Sequence, residues 1–63
     1  MNIKQLAIEI EKYDIIFVGN IIDIVRNNNL NKNQIKELFK ELKQLGINIC
    51  NRDKSFIYST LEA

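Results

Sequence analysis

Apolar residues recur at helical spacing through most of this chain and switch to alternate positions near its end. Ile3, Leu6, Ala7 and Ile10 follow the three-and-four step that gathers side chains on one helix face, with Lys4, Glu11 and Lys12 turned to water and Ile8 out of place among them. Asn2 with Gln5 fits a capping box and Met1 with Leu6 a hydrophobic staple, so a first helix is predicted within Met1 to Tyr13. Asp14 to Asn27 is ambiguous, because Ile15 to Val18 ahead of Gly19 could also be a short buried strand; its length favours a helix. Read helically, Ile15, Phe17, Val18, Ile21, Ile22, Ile24 and Val25 cover about half the circumference. Asp14 would cap this helix, and Gly19 would cost it about 1 kcal/mol relative to Ala. That apolar arc is wider than one small core requires, which leaves open a homodimer contact through the Ile15 to Val25 helix, with burial inside the monomer the simpler account.

Asn27, Asn28 and Asn29 end the second helix, since asparagine competes for nearby backbone groups and tolerates left-handed conformations. The segment Leu30 to Ile47 is punctuated at both ends. Asn31 and Gln34 form a capping box, Leu30 and Ile35 a staple, and Gly46 a left-handed C-terminal cap that sets Ile47 against Leu42. Ile35, Leu38, Phe39, Leu42 and Leu45 share an arc roughly 120° wide. Beyond Gly46, Ile47 and Ile49 alternate with Asn48 and Cys50, and Ser55, Phe56, Ile57, Tyr58 and Ser59 follow a polar tip from Asn51 to Lys54. This predicts a hairpin in which Cys50 pairs with Ser55, Ile49 opposes Phe56 and Ile47 opposes Tyr58, with Thr60 to Ala63 a frayed tail. The expected fold is one domain over residues 1–63, mostly α with a C-terminal β-hairpin.

Charge changes the picture only through its placement. The formal net charge of +1 gives no overall attraction to nucleic acid. On the third helix, however, Lys32, Lys36, Lys40 and Lys43 gather within about 80° of arc, while Glu37 and Glu41 take the other flank. Intrahelical pairing does not account for this sorting. Glu37 with Glu41 and Lys36 with Lys40 place like charges four apart, and only Glu37 with Lys40, three apart, is a favourable pair. Arg52 and Lys54 add two cations at the expected hairpin tip.

Other chemistry is sparse. With no histidine, no glycine-rich phosphate loop and no nucleophile motif, an enzyme is not indicated, and no cofactor or metal ligand set is read. Asp14 and Asp23 are better explained as a cap and a solvated position than as paired carboxylates. Cys50 has no second cysteine, so no internal disulfide forms and a reducing cytoplasm is the simplest home. Neither a signal peptide nor a membrane span is indicated.

The order helix, helix, short turn, charged helix and two-stranded basic-tipped wing resembles the winged-helix (helix-turn-helix) DNA-binding domains over nearly the whole chain, most closely in KELKQLGINICNRDKSFIYST from Lys40 to Thr60. That resemblance implies a three-helix winged-helix-like domain. In it Lys32, Asn33, Lys36 and Lys40 match exposed recognition-helix positions, and Arg52 and Lys54 match a wing tip. The sequence departs from it in two acids on the recognition helix and in the lack of a strand between the first two helices. The helix followed by Gly46 and Ile47 is also similar to the first conserved region of primary bacterial sigma factors, whose acidic character is absent here.

The expected function is a small DNA-binding transcriptional regulator, of a kind phages or plasmids encode. It would hold double-stranded DNA through phosphate contacts from Lys32, Lys36, Lys40, Lys43, Arg52 and Lys54, with Asn33 reaching a base edge. The alternative is a module or inhibitor that engages transcription machinery or another host protein, because a scaffold does not fix its use.

Overall fold

In a computed structural model that describes residues 2–13 and 18–62, the chain forms four helices: α1 (Ile3–Glu11), α2 (Val18–Asn27), α3 (Lys32–Gln44) and α4 (Asn51–Glu62). α1 lies along α3, α2 lies along α4, and α1 also touches α2. One hydrophobic core joins them. α1 supplies Ile3, Leu6, Ala7 and Ile10, α2 supplies Ile21, Ile22 and Val25, α3 supplies Ile35, Leu38, Phe39 and Leu42, and α4 supplies Ile57.

The starts of α1 and α3 follow their capping residues. Asn31 Oδ1 accepts from the Gln34 N–H at 2.8 Å, and Gln34 Oε1 accepts from the Asn31 N–H at 2.9 Å, completing the capping box. Asn2 Oδ1 accepts from the Gln5 N–H at 3.2 Å, which caps α1. The proposed Met1 staple and the Asp14 cap lie outside the described residues, as do Ile15, Ile16 and Phe17. Within the described part of α2, Val18 and Ile24 pack partly buried around the three core residues.

α2 and α3 end in the same way. After α3, Gly46 has φ +86°, its N–H donates to the Lys43 carbonyl at 3.0 Å, and the Ile47 N–H donates to the Leu42 carbonyl at 2.9 Å. After α2, Asn29 has φ +53°, its N–H donates to the Arg26 carbonyl at 3.2 Å, and the Leu30 N–H donates to the Val25 carbonyl at 3.2 Å. Both are Schellman closures in which a left-handed residue turns the chain and the apolar residue after it, Ile47 or Leu30, is packed against the core. Leu45 departs from expectation: as the α3 C-cap it is 39% exposed and does not extend the buried arc.

The C-terminal β-hairpin, and with it the three-helix winged-helix-like domain, is overturned. Among the described residues there is no strand, and residues 51 to 62 form α4. The alternation predicted from Ile47 onward survives only to Cys50: Ile47 and Ile49 pack against the core while Asn48 and Cys50 are exposed. From there Ile57 and Leu61, four apart, and Tyr58 beside them face inward on a helix. Phe56, assigned to the inner face of the hairpin, is 58% exposed, whereas Ile57 is fully buried. A lone two-stranded hairpin is marginal in water, whereas a helix pairs its own backbone and, lying along α2, can place Ile57 in the shared core. Thr60 and Leu61, read as a frayed tail, belong to α4. Arg52 and Lys54 therefore sit in the first turn of a helix and not at a wing tip.

Two glycine substitutions test this account in opposite directions. Gly19 lies in α2 with nothing within 4 Å of where a Cβ would stand, so Gly19→Ala should stabilise the protein by about 0.5–1 kcal/mol in urea unfolding. Gly46 has equally open space but a left-handed φ, so Gly46→Ala should destabilise it by about 1–2 kcal/mol.

Candidate nucleic-acid interface

Burying Ile35, Leu38, Phe39 and Leu42 fixes the rotation of α3 about its axis, and the lysine flank follows. Lys32, Lys36, Lys40 and Lys43 are all exposed. Phe39 sits at the edge of the buried arc nearest to them, about 20° of helical rotation from Lys32. There α4 completes a groove: Lys36, Phe39, Lys40, Lys43, Lys54 and Tyr58 enclose about 260 Å³. Four ammonium groups from two helices thus surround two aromatic rings.

The rings are in contact with each other and with lysines. Phe39 and Tyr58 meet edge to face with centroids 5.7 Å apart and an interplanar angle of 82°. Lys54 Nζ lies 5.7 Å from the Phe39 centroid, and Lys32 Nζ lies 5.9 Å from the Tyr58 centroid. Both distances fall within the range of cation–π attraction. The Tyr58 hydroxyl is held above the ordinary tyrosine value of 10.0 by burial, which outweighs the opposing effect of the Lys32 charge.

Most of the residues singled out from sequence are brought together, and two are not. Lys36, Lys40, Lys43 and Lys54 line the groove, and Lys32 reaches its rim through Tyr58. Asn33 is exposed in the first turn of α3. Arg52 is exposed but does not line the groove; two residues before Lys54, it lies about 160° away around α4. Glu37 and Glu41 line a separate cavity of about 620 Å³ with Asn2, Ile3 and Lys4 at the α1 end, so the acids do not share the lysine groove. The sequence pattern marks Phe39 and Tyr58 only as packing residues. The signal available was the position of Phe39 beside the lysine arc.

Among the described residues, no polar or charged side chain is buried and no group of three or more His, Cys, Asp or Glu is placed to hold a metal ion. No described helix is long and apolar enough to cross a membrane. No protein-family model, curated protein or solved structure matches this chain.

The electrostatics of Tyr58 can be measured in a Tyr13→Phe background, where it is the sole tyrosine. Ultraviolet titration should show it ionising above the ordinary value, and Lys32→Gln should raise it further by removing the charge that lowers it. Because folding raises this pKa, the associated stability is complete below the unfolded value of about 10 and is lost as pH rises through the folded value.

Proposed function

We propose that this chain binds double-stranded DNA through its phosphate backbone, as a small regulator of transcription. The observation that carries this reading is the convergence of Lys36, Lys40 and Lys43 from α3 with Lys54 from α4 on one groove, in a protein whose net charge is only +1. Concentrating like charges is unfavourable for the folded chain alone, since each close pair repels. A polyanion relieves that repulsion. Lys36 and Lys40 are about 6 Å apart along the helix axis, and a duplex strand carries a phosphate about every 3.4 Å of its own axis, so the lysine spacing is close to two phosphate steps. Lys32 extends the row toward the N-terminus of α3, and Asn33 beside it is the residue able to reach a base edge. Arg52, exposed but outside the groove, is not required for this grip.

A second reading, engagement of a protein of the transcription machinery or another host protein, is favoured by Phe56, which is 58% exposed on α4 outside the lysine groove. Large aromatic side chains in that setting are characteristic anchors of protein interfaces.

Fluorescence anisotropy of a labelled duplex separates the two. Log affinity should fall with log salt at a slope of about −3 to −5, and the pair Lys36→Gln and Lys40→Gln should flatten that slope by about 2. Phe56→Ser should leave duplex binding unchanged. Failure to bind duplex at low salt would exclude the first reading, and retention of function with both lysines neutralised would favour the second.

A further inference from the structure

We infer that Phe39 and Tyr58 are positioning residues of this groove, seating the ammonium groups of Lys54 and Lys32 on their ring faces so that a nucleic acid is held by its phosphates and not by stacked bases. This deepens the DNA-binding reading above and rests on it. Aromatic rings set among lysines ordinarily suggest a single-strand site, where bases stack on exposed ring faces and cations follow the backbone. The geometry here is different. Lys54 lies over the Phe39 ring, Lys32 lies over the Tyr58 ring, and the two rings meet edge to face. Phe39 is in addition only 7% exposed. Each ring thus carries an ammonium group over one face, the two rings share an edge-to-face contact, and Phe39 is nearly closed to solvent, which leaves at most one face of the partly buried Tyr58 ring for a base.

What the rings supply instead is order. A lysine side chain is long and loses rotamer freedom when it grips a phosphate. One already resting on a ring that is fixed in the core has lost part of that freedom before the ligand arrives, so less is lost on binding. The Phe39–Tyr58 contact also ties α4 to α3, which keeps Lys54 in register with Lys36, Lys40 and Lys43. A site built this way discriminates by phosphate spacing and is indifferent to base identity at the groove.

The test compares Tyr58→Phe and Tyr58→Leu in the full chain by anisotropy, using a short duplex and a single strand of the same length. Tyr58→Phe keeps the ring and should bind duplex within about twofold of the parent, whereas Tyr58→Leu should weaken binding about two- to fivefold at fixed salt. The salt slope should stay unchanged in both, because the number of lysines meeting phosphates is the same; mere damage to the groove would flatten it. In the Tyr13→Phe background, duplex should leave Tyr58 emission nearly unchanged. Strong quenching by the single strand, or tighter binding of it than of duplex, would show base stacking and overturn the inference. Equal binding by Tyr58→Leu and the parent would overturn it too.

A measurement on the unaltered protein needs neither variant nor nucleic acid. The Hε resonances of Lys32 and Lys54 should be displaced upfield by the rings relative to those of Lys36, Lys40 and Lys43. Coincidence of all five would end the inference whatever the binding data show. Displaced resonances in a protein that fails to bind duplex would instead refute the functional reading and its phosphate ligand, leaving the seating of the lysines in place.

Discussion

Burial of one face of α3 governs the arrangement of the whole molecule. Leu38 and Leu42 are fully buried and Ile35 and Phe39 nearly so. Because successive side chains are locked about 100° apart, sealing that arc leaves no freedom in where the remaining residues point. The lysines emerge on one side, toward α4, and the glutamates on the other, toward the N-terminus of α1. The spacing of the residues sorts the charges, and the packing of four apolar side chains decides where each flank points; rotating α3 enough to turn the lysines away from α4 would expose the core.

The two connections flanking α3 serve the same end. Each begins with a left-handed residue, Asn29 or Gly46, and each is followed by an apolar residue whose N–H returns to the last turn of the preceding helix. A closure of this kind satisfies the terminal carbonyls without lengthening the loop. It also commits Leu30 and Ile47 to the core, so the chain is pinned immediately before and soon after α3. In a domain of this size, where a single core has little stability to spare, such short pinned turns limit the backbone entropy that folding must overcome.

Legibility followed the strength of local signals. α3 was readable to the residue, because the Asn31–Gln34 box and Gly46 each have one dominant structural meaning. α1 and the end of α2 were readable for the same reason. α4 was not. Phe56, Ile57 and Tyr58 are three consecutive apolar residues, which satisfy a period of two and a period of 3.6 about equally, and Cys50 is not a capping residue that would mark a helix start. The true inward set, Ile57, Tyr58 and Leu61, becomes distinguishable from the strand set only if Leu61 is included, and the hairpin pattern leaves that residue in the tail. The candidate site was legible in half: the lysine flank of α3 was visible from spacing alone. Lys54 lines the groove with it from a helix and not from a hairpin tip, and Arg52 does not line it, because two residues apart on a hairpin tip are neighbours while two apart on a helix are nearly opposite.

The weak net charge is compatible with a strongly cationic site for a reason of length scale. An α-helix with its side chains is about 10–12 Å across, which is close to the Debye length of roughly 8 Å at physiological ionic strength. Glu37 and Glu41, on the far flank of α3, would therefore be largely screened from any phosphate placed in the groove, while Lys36, Lys40, Lys43 and Lys54 would act on it at contact range. Far from the surface the cations and anions of the whole chain nearly cancel, leaving a net charge of +1, so the protein gains little long-range attraction toward a polyanion and little steering of encounter. Close up, the cancellation fails. An interface with this charge layout would express its preference mainly in how long a complex persists and only slightly in how fast it forms, since the favourable field exists only within the groove.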